Sequence, residues 1–167
     1  KPPKLKSFSS NLHKYNRGEL FIFGASEMVG ASKLATLAAS QIALKSGAGI
    51  VKLLVNNKSK NFYKSYVLEE LIVSYLNIND VKKIIKKANS TFLFGCGLET
   101  NNENSNILEL LLKSKNKLVI DASSFSLIKK NLKKFISLLK FRKSETILTP
   151  HFGEFKRIFK TSENKIN

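Results

Sequence analysis

Apolar residues lie along the chain in short continuous runs that alternate with longer segments of helical periodicity. The runs predict strands at Leu20–Phe23, Ile50–Val55, Glu70–Tyr75, Thr91–Phe94, Leu118–Ile120 and Thr146–Leu148. The periodic segments predict helices at Val29–Ser46, Asp80–Ala88, Asn104–Lys113, Phe125–Leu139 and Gly153–Phe159, with a break near Asn131 and a short helix at Asn61–Tyr66. Nearly continuous apolar runs are typical of buried parallel strands. The alternation therefore predicts an α/β fold, a mostly parallel sheet between two layers of helices.

The two ends of the chain do not follow this pattern. Residues 1–18 carry two of the three prolines and end in Arg17-Gly18, which predicts a linker or extended arm before a domain at residues 19–167. Thr161–Asn167 is polar and is typical of a frayed end or an interrupted chain. The sequence also begins with Lys1 instead of methionine, which is compatible with a longer parent chain.

Composition narrows the class of protein. The length of 167 residues suits one domain. The single cysteine, Cys96, excludes an internal disulfide and leaves the redox compartment open, with a reducing, cytoplasmic compartment as the default expectation. No run approaches the roughly 20 apolar residues of a membrane-spanning helix.

The net charge of +17 would suit a polyanionic partner. The lysines, however, occur in pairs at helical spacing beside apolar positions, and the sequence has no RNA-binding aromatic signature or zinc-ligand spacing. Solvated faces are therefore favoured over a specific nucleic-acid partner.

Four glycine-bearing or polar clusters each follow a predicted strand. They are Gly24-Ala25-Ser26 with Gly30, Gly95-Cys96-Gly97, Asp121-Ala122-Ser123-Ser124, and Thr149-Pro150-His151-Phe152-Gly153-Glu154. Ligands of open parallel sheets bind at the carboxyl ends of the strands, so the four clusters together predict a binding edge.

Each cluster also has a purely structural interpretation. The first is neither a Walker A loop nor a Rossmann fingerprint and would suit a tight strand-to-helix turn. Cys96 has no evident partner as a nucleophile and is interpreted as a buried or incidental thiol. Asp121 or a neighbouring serine would cap the following helix, and Glu154 would be a first-turn acid favoured by the helix dipole.

Order and spacing together resemble the NAD(P)H-hydrate dehydratase family of the ribokinase-like superfamily. The matching segments extend over most of the chain: His13-Lys14, Arg17-Gly18, Gly24-Ala25-Ser26, Gly30-Ala31, Lys45-Ser46-Gly47-Ala48-Gly49-Ile50-Val51, Gly95-Cys96-Gly97-Leu98, Asp121-Ala122 and Thr149-Pro150-His151-Phe152-Gly153-Glu154. The resemblance implies a ribokinase-like three-layer α/β/α fold.

The resemblance also implies an activity and a site. The family uses ADP or ATP, with Mg²⁺, to restore NADH or NADPH from the hydrated forms NADHX and NADPHX, by phosphorylation of the ring hydroxyl and its elimination. Ala31, Gly97 and His151 match positions that bind the hydrated dinucleotide. Gly24, Ser26 and Gly30 would form a phosphate or backbone loop. Asp121 matches the first acid of an Asp-Ala-Asp motif, with a supporting role, and no residue is expected to bind a metal.

Several positions depart from the family. The family usually has a second glycine at Ala25, proline at Cys96, glycine at Glu99, aspartate at Ser123 and proline at Phe152. Nothing after Phe159 matches the nucleotide loop or the Gly-Thr-Gly-Asp segment that carries the catalytic base.

We therefore expect the domain to lack its C-terminal part, to contain no catalytic residue and to be inactive alone. The missing part would come from the longer chain, a separate C-terminal fragment or an oligomeric partner. Alternative hypotheses are a decayed remnant that at most binds a dinucleotide, a ribokinase-like small-molecule kinase and, last, a basic nucleic-acid module. Uncovered edges predict self-association.

Overall fold

Six strands form one sheet in the order β3-β2-β1-β4-β5-β6, and every neighbouring pair is parallel. The structure, a computed structural model, describes residues 17–26, 29–65, 67, 71–86 and 90–159. Its strands are β1 Glu19–Phe23, β2 Ile50–Asn56, β3 Ile72–Tyr75, β4 Ser90–Phe94, β5 Lys117–Ile120 and β6 Thr146–Leu148. The predicted parallel α/β sheet is confirmed. The predicted arm at residues 1–18 lies outside the described residues except for Arg17 and Gly18.

Seven helices occupy the described part of the chain at the predicted places. They are α1 Val29–Lys45, α2 Lys60–Lys64, α3 Ile78–Ile85, α4 Asn102–Lys113, α5 Ser123–Lys130, α6 Leu132–Phe141 and α7 Phe152–Ile158. A 3₁₀ turn at Asn57–Ser59 precedes α2. The predicted break near Asn131 is present because that residue leaves the helical region at φ −134° and ψ 53°. None of the helices in these ranges is long and apolar enough to span a membrane.

The sheet separates two hydrophobic cores, because successive side chains of a strand point to opposite faces. The phenylalanines of β1 and β4 all belong to the larger core, which is covered by α3 to α7: Phe21, Phe23, Phe92 and Phe94. Ile22, Leu53 and Val55 belong to the smaller core, which Tyr63 of α2 and alanines of α1 cover. Each fully buried side chain of this size contributes roughly 1.5–3 kcal/mol to the free energy of unfolding. The result is three layers, helix on sheet on helix.

Helix α4 is fixed at both ends by polar side chains. At its start the Asn101 side chain accepts a hydrogen bond from the Asn104 N–H at 2.8 Å. At its end the Arg142 guanidinium donates to the carbonyls of Leu111, Leu112, Ser114 and Asn116. The last carbonyls of a helix have no partner within the helix, so Arg142 supplies the donors that they lack. Burial lowers the pKa of Arg142, which nevertheless stays protonated at neutral pH.

Candidate functional site

The four predicted clusters lie side by side along the carboxyl edge of the sheet. They follow β1, β4, β5 and β6, which are consecutive in the strand order. The chain proceeds from β1 outward in one direction and from β4 outward in the other, so the loops after these two strands flank a topological switch point. Ligands of open α/β sheets bind in the crevice at such a point. The strand order therefore concentrates the candidate residues at one end of the molecule.

The loop after β1 uses three successive backbone donors internally. The Gly24 N–H donates to the Leu54 carbonyl at 2.9 Å. The Ala25 N–H donates to Ser32 Oγ at 3.0 Å, and the Ser26 N–H donates to Glu99 Oε1 at 2.8 Å. The next two residues of the chain lie outside the described part. This loop is therefore held by acceptors from β2, α1 and the loop after β4.

A buried tyrosine of α2, Tyr63, stabilises this loop by hydrogen bonds. Tyr63 Oη lies 3.0 Å from both the Ala25 carbonyl and Ser32 Oγ. A Cβ at Gly24 would lie 2.8 Å from Val55 Cγ1 and 3.0 Å from the Tyr63 ring, so glycine is required there for packing. Burial raises the pKa of Tyr63, which keeps the phenol protonated and able to donate at neutral pH. Sequence analysis did not identify Tyr63 or Ser32 as site residues.

Glu99 connects the two loops that flank the switch point. Its carboxylate accepts from Ser26, while Asn104 Nδ2 in the first turn of α4 donates to its carbonyl at 2.8 Å and lies 3.3 Å from Oε2. Asn104 is almost completely buried, so the Glu99 side chain is held from a fixed point. The departure from the family that the sequence contains at Glu99 thus has a defined structural role.

The loop after β4 approaches the backbone after β5 so closely that only glycine fits. Gly95 has φ +122°, and a Cβ there would lie 1.9 Å from the Asp121 carbonyl oxygen and 2.3 Å from Ser124 Oγ. The Ser123 N–H donates to the Gly95 carbonyl at 3.2 Å. Gly97, at φ +74°, completes the turn. The close approach joins the second and third clusters.

Asp121 joins the third cluster to the fourth. Its carboxylate accepts a hydrogen bond from the Thr149 hydroxyl at 2.8 Å and lies 3.5 Å from Cys96 Sγ. Burial, and then the negative charge of Asp121, raises the pKa of the Cys96 thiol to about 12. The thiol is therefore protonated at neutral pH, which agrees with the interpretation of Cys96 as structural. Ala122, the next residue, has the positive φ of 46°.

His151 is the N-cap of α7 and is exposed, with 68% of its side chain accessible. Its Nδ1 accepts a hydrogen bond from the Gly153 backbone N–H at 3.0 Å, and the His151 backbone N–H donates to Glu154 Oε2 at 3.0 Å. Nε2 lies 3.5 Å from Glu154 Oε1. These contacts form a capping arrangement, so Glu154 fixes the position of the imidazole as well as the start of the helix.

The remaining predicted residues lie at the start of α1. A Cβ built on Gly30 would contact nothing within 4 Å, so this glycine faces open space. Ala31 lies in the same helix turn, and its side chain is outside the described part of the chain. Among the residues that the structure describes, no group of three His, Cys, Asp or Glu side chains could hold a metal ion.

A family profile described as NAD(P)H-hydrate dehydratase matches residues 20–167. The chain belongs to the NAD(P)H-hydrate dehydratase family. The resemblance inferred from the sequence is thereby confirmed. A bifunctional NAD(P)H-hydrate repair enzyme from Archaeoglobus fulgidus is 32% identical over 160 residues, which cover 90% of this chain and 31% of that enzyme. The chain thus spans about a third of the length of this dehydratase relative.

Solved structures show the same fold. A ribokinase-like superfamily protein from Enterococcus faecalis matches with a TM-score of 0.71 and 22% identity, covering 92% of this chain and 52% of that one. An ADP/ATP-dependent NAD(P)H-hydrate dehydratase from Bacillus subtilis, co-crystallized with ATP and Mg²⁺, matches with a TM-score of 0.63 and 23% identity, covering 91% and 50%. The predicted ribokinase-like fold is therefore confirmed, and the chain spans about half of each of these structures.

Proposed function

We propose that this chain forms the hydrated-dinucleotide side of an ADP/ATP-dependent NAD(P)H-hydrate dehydratase, which returns NADHX and NADPHX to NADH and NADPH. One observation carries the proposal. In a chain of this family, the strand-end clusters are joined one to the next: Ser26 contacts Glu99 across the switch point, Gly95 contacts Ser123, and Asp121 contacts Thr149. Such a connected, preorganised edge is what positioning of a substrate requires.

Three residues are proposed to contact the dinucleotide. Gly97 presents a bare backbone in a left-handed turn, and His151 presents an exposed imidazole whose orientation Glu154 fixes. Ala31, in the first turn of α1, would lie beside the loop after β1. Ser26 and Gly30 would line the same loop, with Gly24 supporting it through packing.

The proposed reaction needs phosphoryl transfer to the ring hydroxyl, followed by loss of phosphate and of a ring proton. Catalysis of this kind depends on positioning and on stabilisation of charge. In this chain Asp121 has a supporting role, because its carboxylate holds Thr149 at the start of the segment that carries His151. The described residues offer no set of side chains for Mg²⁺. We therefore assign ADP or ATP, its Mg²⁺ and the catalytic base to the part of the relatives that this chain does not cover.

An apolar surface at β6 and α7 is the proposed place of attachment for that part. β6 is the outermost strand, and the exposed side chains around it are large and apolar: Ile147 on one face of the sheet, Leu148 on the other, and Phe152, Phe155 and Phe159 in or directly after α7. Exposed apolar patches beside an open strand edge mark interaction surfaces. The matched structures are about twice as long as the matched part of this chain. We propose that the remaining half of the domain covers the β6–α7 surface, whether it is supplied by the same chain, a separate fragment or an oligomeric partner.

The test is calorimetric titration of the chain with hydrated NADH, with unmodified NADH as the control ligand. We expect selective binding of the hydrated form, and weaker binding after His151→Ala. That substitution also removes a helix cap worth about 1 kcal/mol. His151→Asn is therefore the matched variant, since asparagine keeps an N-cap acceptor while it removes the imidazole, and it should weaken binding as much as His151→Ala does. Equal affinity of wild type and His151→Ala would contradict the role of His151.

A second candidate is a non-catalytic remnant of the family. Ser123 provides no carboxylate at the β5 edge, and Glu99 already occupies a backbone donor of the loop after β1. A folded chain that binds neither hydrated NADH nor hydrated NADPH would favour this alternative over the repair activity.

A further inference from the structure

We propose that Glu99 determines which ligand charge the loop after β1 accepts. Its carboxylate already accepts the hydrogen bond from the Ser26 N–H. A phosphate group can therefore bind this donor only by displacing the carboxylate. The inference rests on the proposed function insofar as the natural ligand is a dinucleotide. The anion-binding step itself requires no dinucleotide.

Ser26 carries the accessible donor among the three described ones of this loop. Gly24 and Ala25 are buried, and their N–H groups donate to acceptors that belong to the packed interior. Ser26 is exposed, and its N–H is directed to Glu99 Oε1 at 2.8 Å. A hydrogen bond to a charged acceptor at this distance is of the stronger kind. An incoming anion therefore competes for this donor with a carboxylate that is already bound.

The competing carboxylate is held in place from its other side. Asn104 Nδ2 contacts both the Glu99 carbonyl and Oε2, and the Asn104 N–H is bound to the Asn101 side chain. Asn104 is 5% exposed, so it provides a rigid support. Glu99 is already tethered beside Ser26 by the fold, whereas a free anion loses translational and rotational freedom when it binds, so the internal carboxylate has the advantage.

Glu99 also adds negative charge at the switch point. Glu103, four residues further in the first turn of α4, adds a second charge and contacts Asn56 Nδ2 at 3.3 Å. Both charges contribute to the raised pKa of the Tyr75 phenol, whose largest cause is burial. The loop therefore favours a neutral part of a ligand and opposes its phosphates as long as Glu99 is bound.

The experiment follows the Ser26 backbone amide by NMR while inorganic pyrophosphate is added to the full chain. We expect a saturating shift in Glu99→Ala with at least about tenfold tighter binding than in wild type, which corresponds to 1.4 kcal/mol. Glu99→Gln keeps an acceptor oxygen for Ser26 but removes the charge, so its gain should be smaller than that of alanine. Glu103→Ala is the matched control, because it removes the same charge nearby and leaves the Ser26 contact intact.

Three results would overturn the proposal. The first is an equal response of the Ser26 amide in wild type and Glu99→Ala. The second is no response in either Glu99 variant with the fold intact by thermal unfolding. The third is an equal gain in Glu103→Ala, which would assign the effect to net charge. Binding of hydrated NADH is measured separately by calorimetry, so failure of the proposed function and failure of this inference are distinguishable.

Discussion

The centre of the carboxyl edge and the β6–α7 surface differ in how far their side chains and backbone donors are satisfied and buried by neighbouring residues. Between β1 and β4, three backbone donors have internal acceptors and the supporting side chains are buried. At the β6–α7 surface, Ile147 is 59% and Phe152 67% exposed. The centre is therefore complete in itself as a structure, whereas the β6–α7 surface has the composition of a protein interior without a covering layer.

A single row of side chains across the sheet shows the transition. Leu93 of β4, Val119 of β5 and Ile147 of β6 are aligned by the strand register and therefore point to the same face. Leu93 and Val119 are partly buried, and Ile147 is exposed. This is the face that α1 covers on the β1–β2 side. Protection from water thus decreases along the row from the centre to the edge.

The largest effect is expected from a substitution at the centre. Gly95→Ala forces a Cβ against the Asp121 carbonyl in a backbone conformation that alanine rarely adopts. We expect a loss of about 3 kcal/mol or more in the free energy of unfolding, measured by urea denaturation. Gly30→Ala is the control, because a Cβ there meets nothing within 4 Å, and it should not lower stability. Similar stability of the two variants would refute the close approach at Gly95.

A smaller loss of stability is expected from a substitution of Tyr63, which contacts the loop after β1. Tyr63→Phe removes the hydroxyl that contacts the Ala25 carbonyl and Ser32, and we expect a loss of about 1–2 kcal/mol on thermal unfolding. Tyr75→Phe removes a phenol hydroxyl for which no partner is found among the described residues, so it should cost less. If both variants lose the same free energy of unfolding, the hydrogen bonds of the Tyr63 hydroxyl do not stabilise this loop.

Substitution at the margin should alter association and leave folding nearly unchanged. Ile147→Lys places a charge on the β6–α7 surface, and we expect less self-association in sedimentation experiments, with stability within about 0.5 kcal/mol of wild type. Leu76→Lys is matched in exposure, at 70%, but lies beyond β3 on the opposite edge. An equal decrease in association with Leu76→Lys would show that the β6–α7 surface is not special.

The smallest expected effect is on the rate at which Cys96 is alkylated. A thiol with a pKa of about 12 holds very little thiolate at pH 8, so alkylation by iodoacetamide should be slow and should accelerate as pH rises toward that value. Asp121→Asn removes the negative charge that adds to burial in raising the pKa of Cys96, and it should speed the reaction at pH 8. Alkylation of the folded wild type at the rate of a free cysteine would contradict the partly buried environment of this thiol.

The elements were predictable because each is encoded locally. Apolar runs such as the one that forms β2 specify buried strands, and the break at Asn131 follows from a residue that interrupts the periodicity. The bonds of the site were not predictable in the same way. Ser26 and Glu99 are 73 positions apart, and Tyr63 reaches Ala25 from 38 positions away. Only the fold brings such partners together, and no local pattern indicates them.

Gly24 and His151 show the same limit at single positions. Glycine after β1 suggested a close approach to a ligand, and the structure shows a close approach to Val55 and Tyr63. His151 was singled out for binding, and the structure adds that its side chain caps the N-terminus of α7. The chemistry of a residue is visible in the sequence, but the neighbours that constrain it are not.

Arg142 has a mechanical consequence. It follows α6 and its guanidinium is bonded to four carbonyls between the end of α4 and the start of β5. A force applied to the C-terminal end would peel α7 and then β6 away from the sheet one contact at a time. It would next meet Arg142, where several bonds must break together. We therefore expect fraying that begins at α7 to stop at Arg142 and to leave the crevice between β1 and β4 intact.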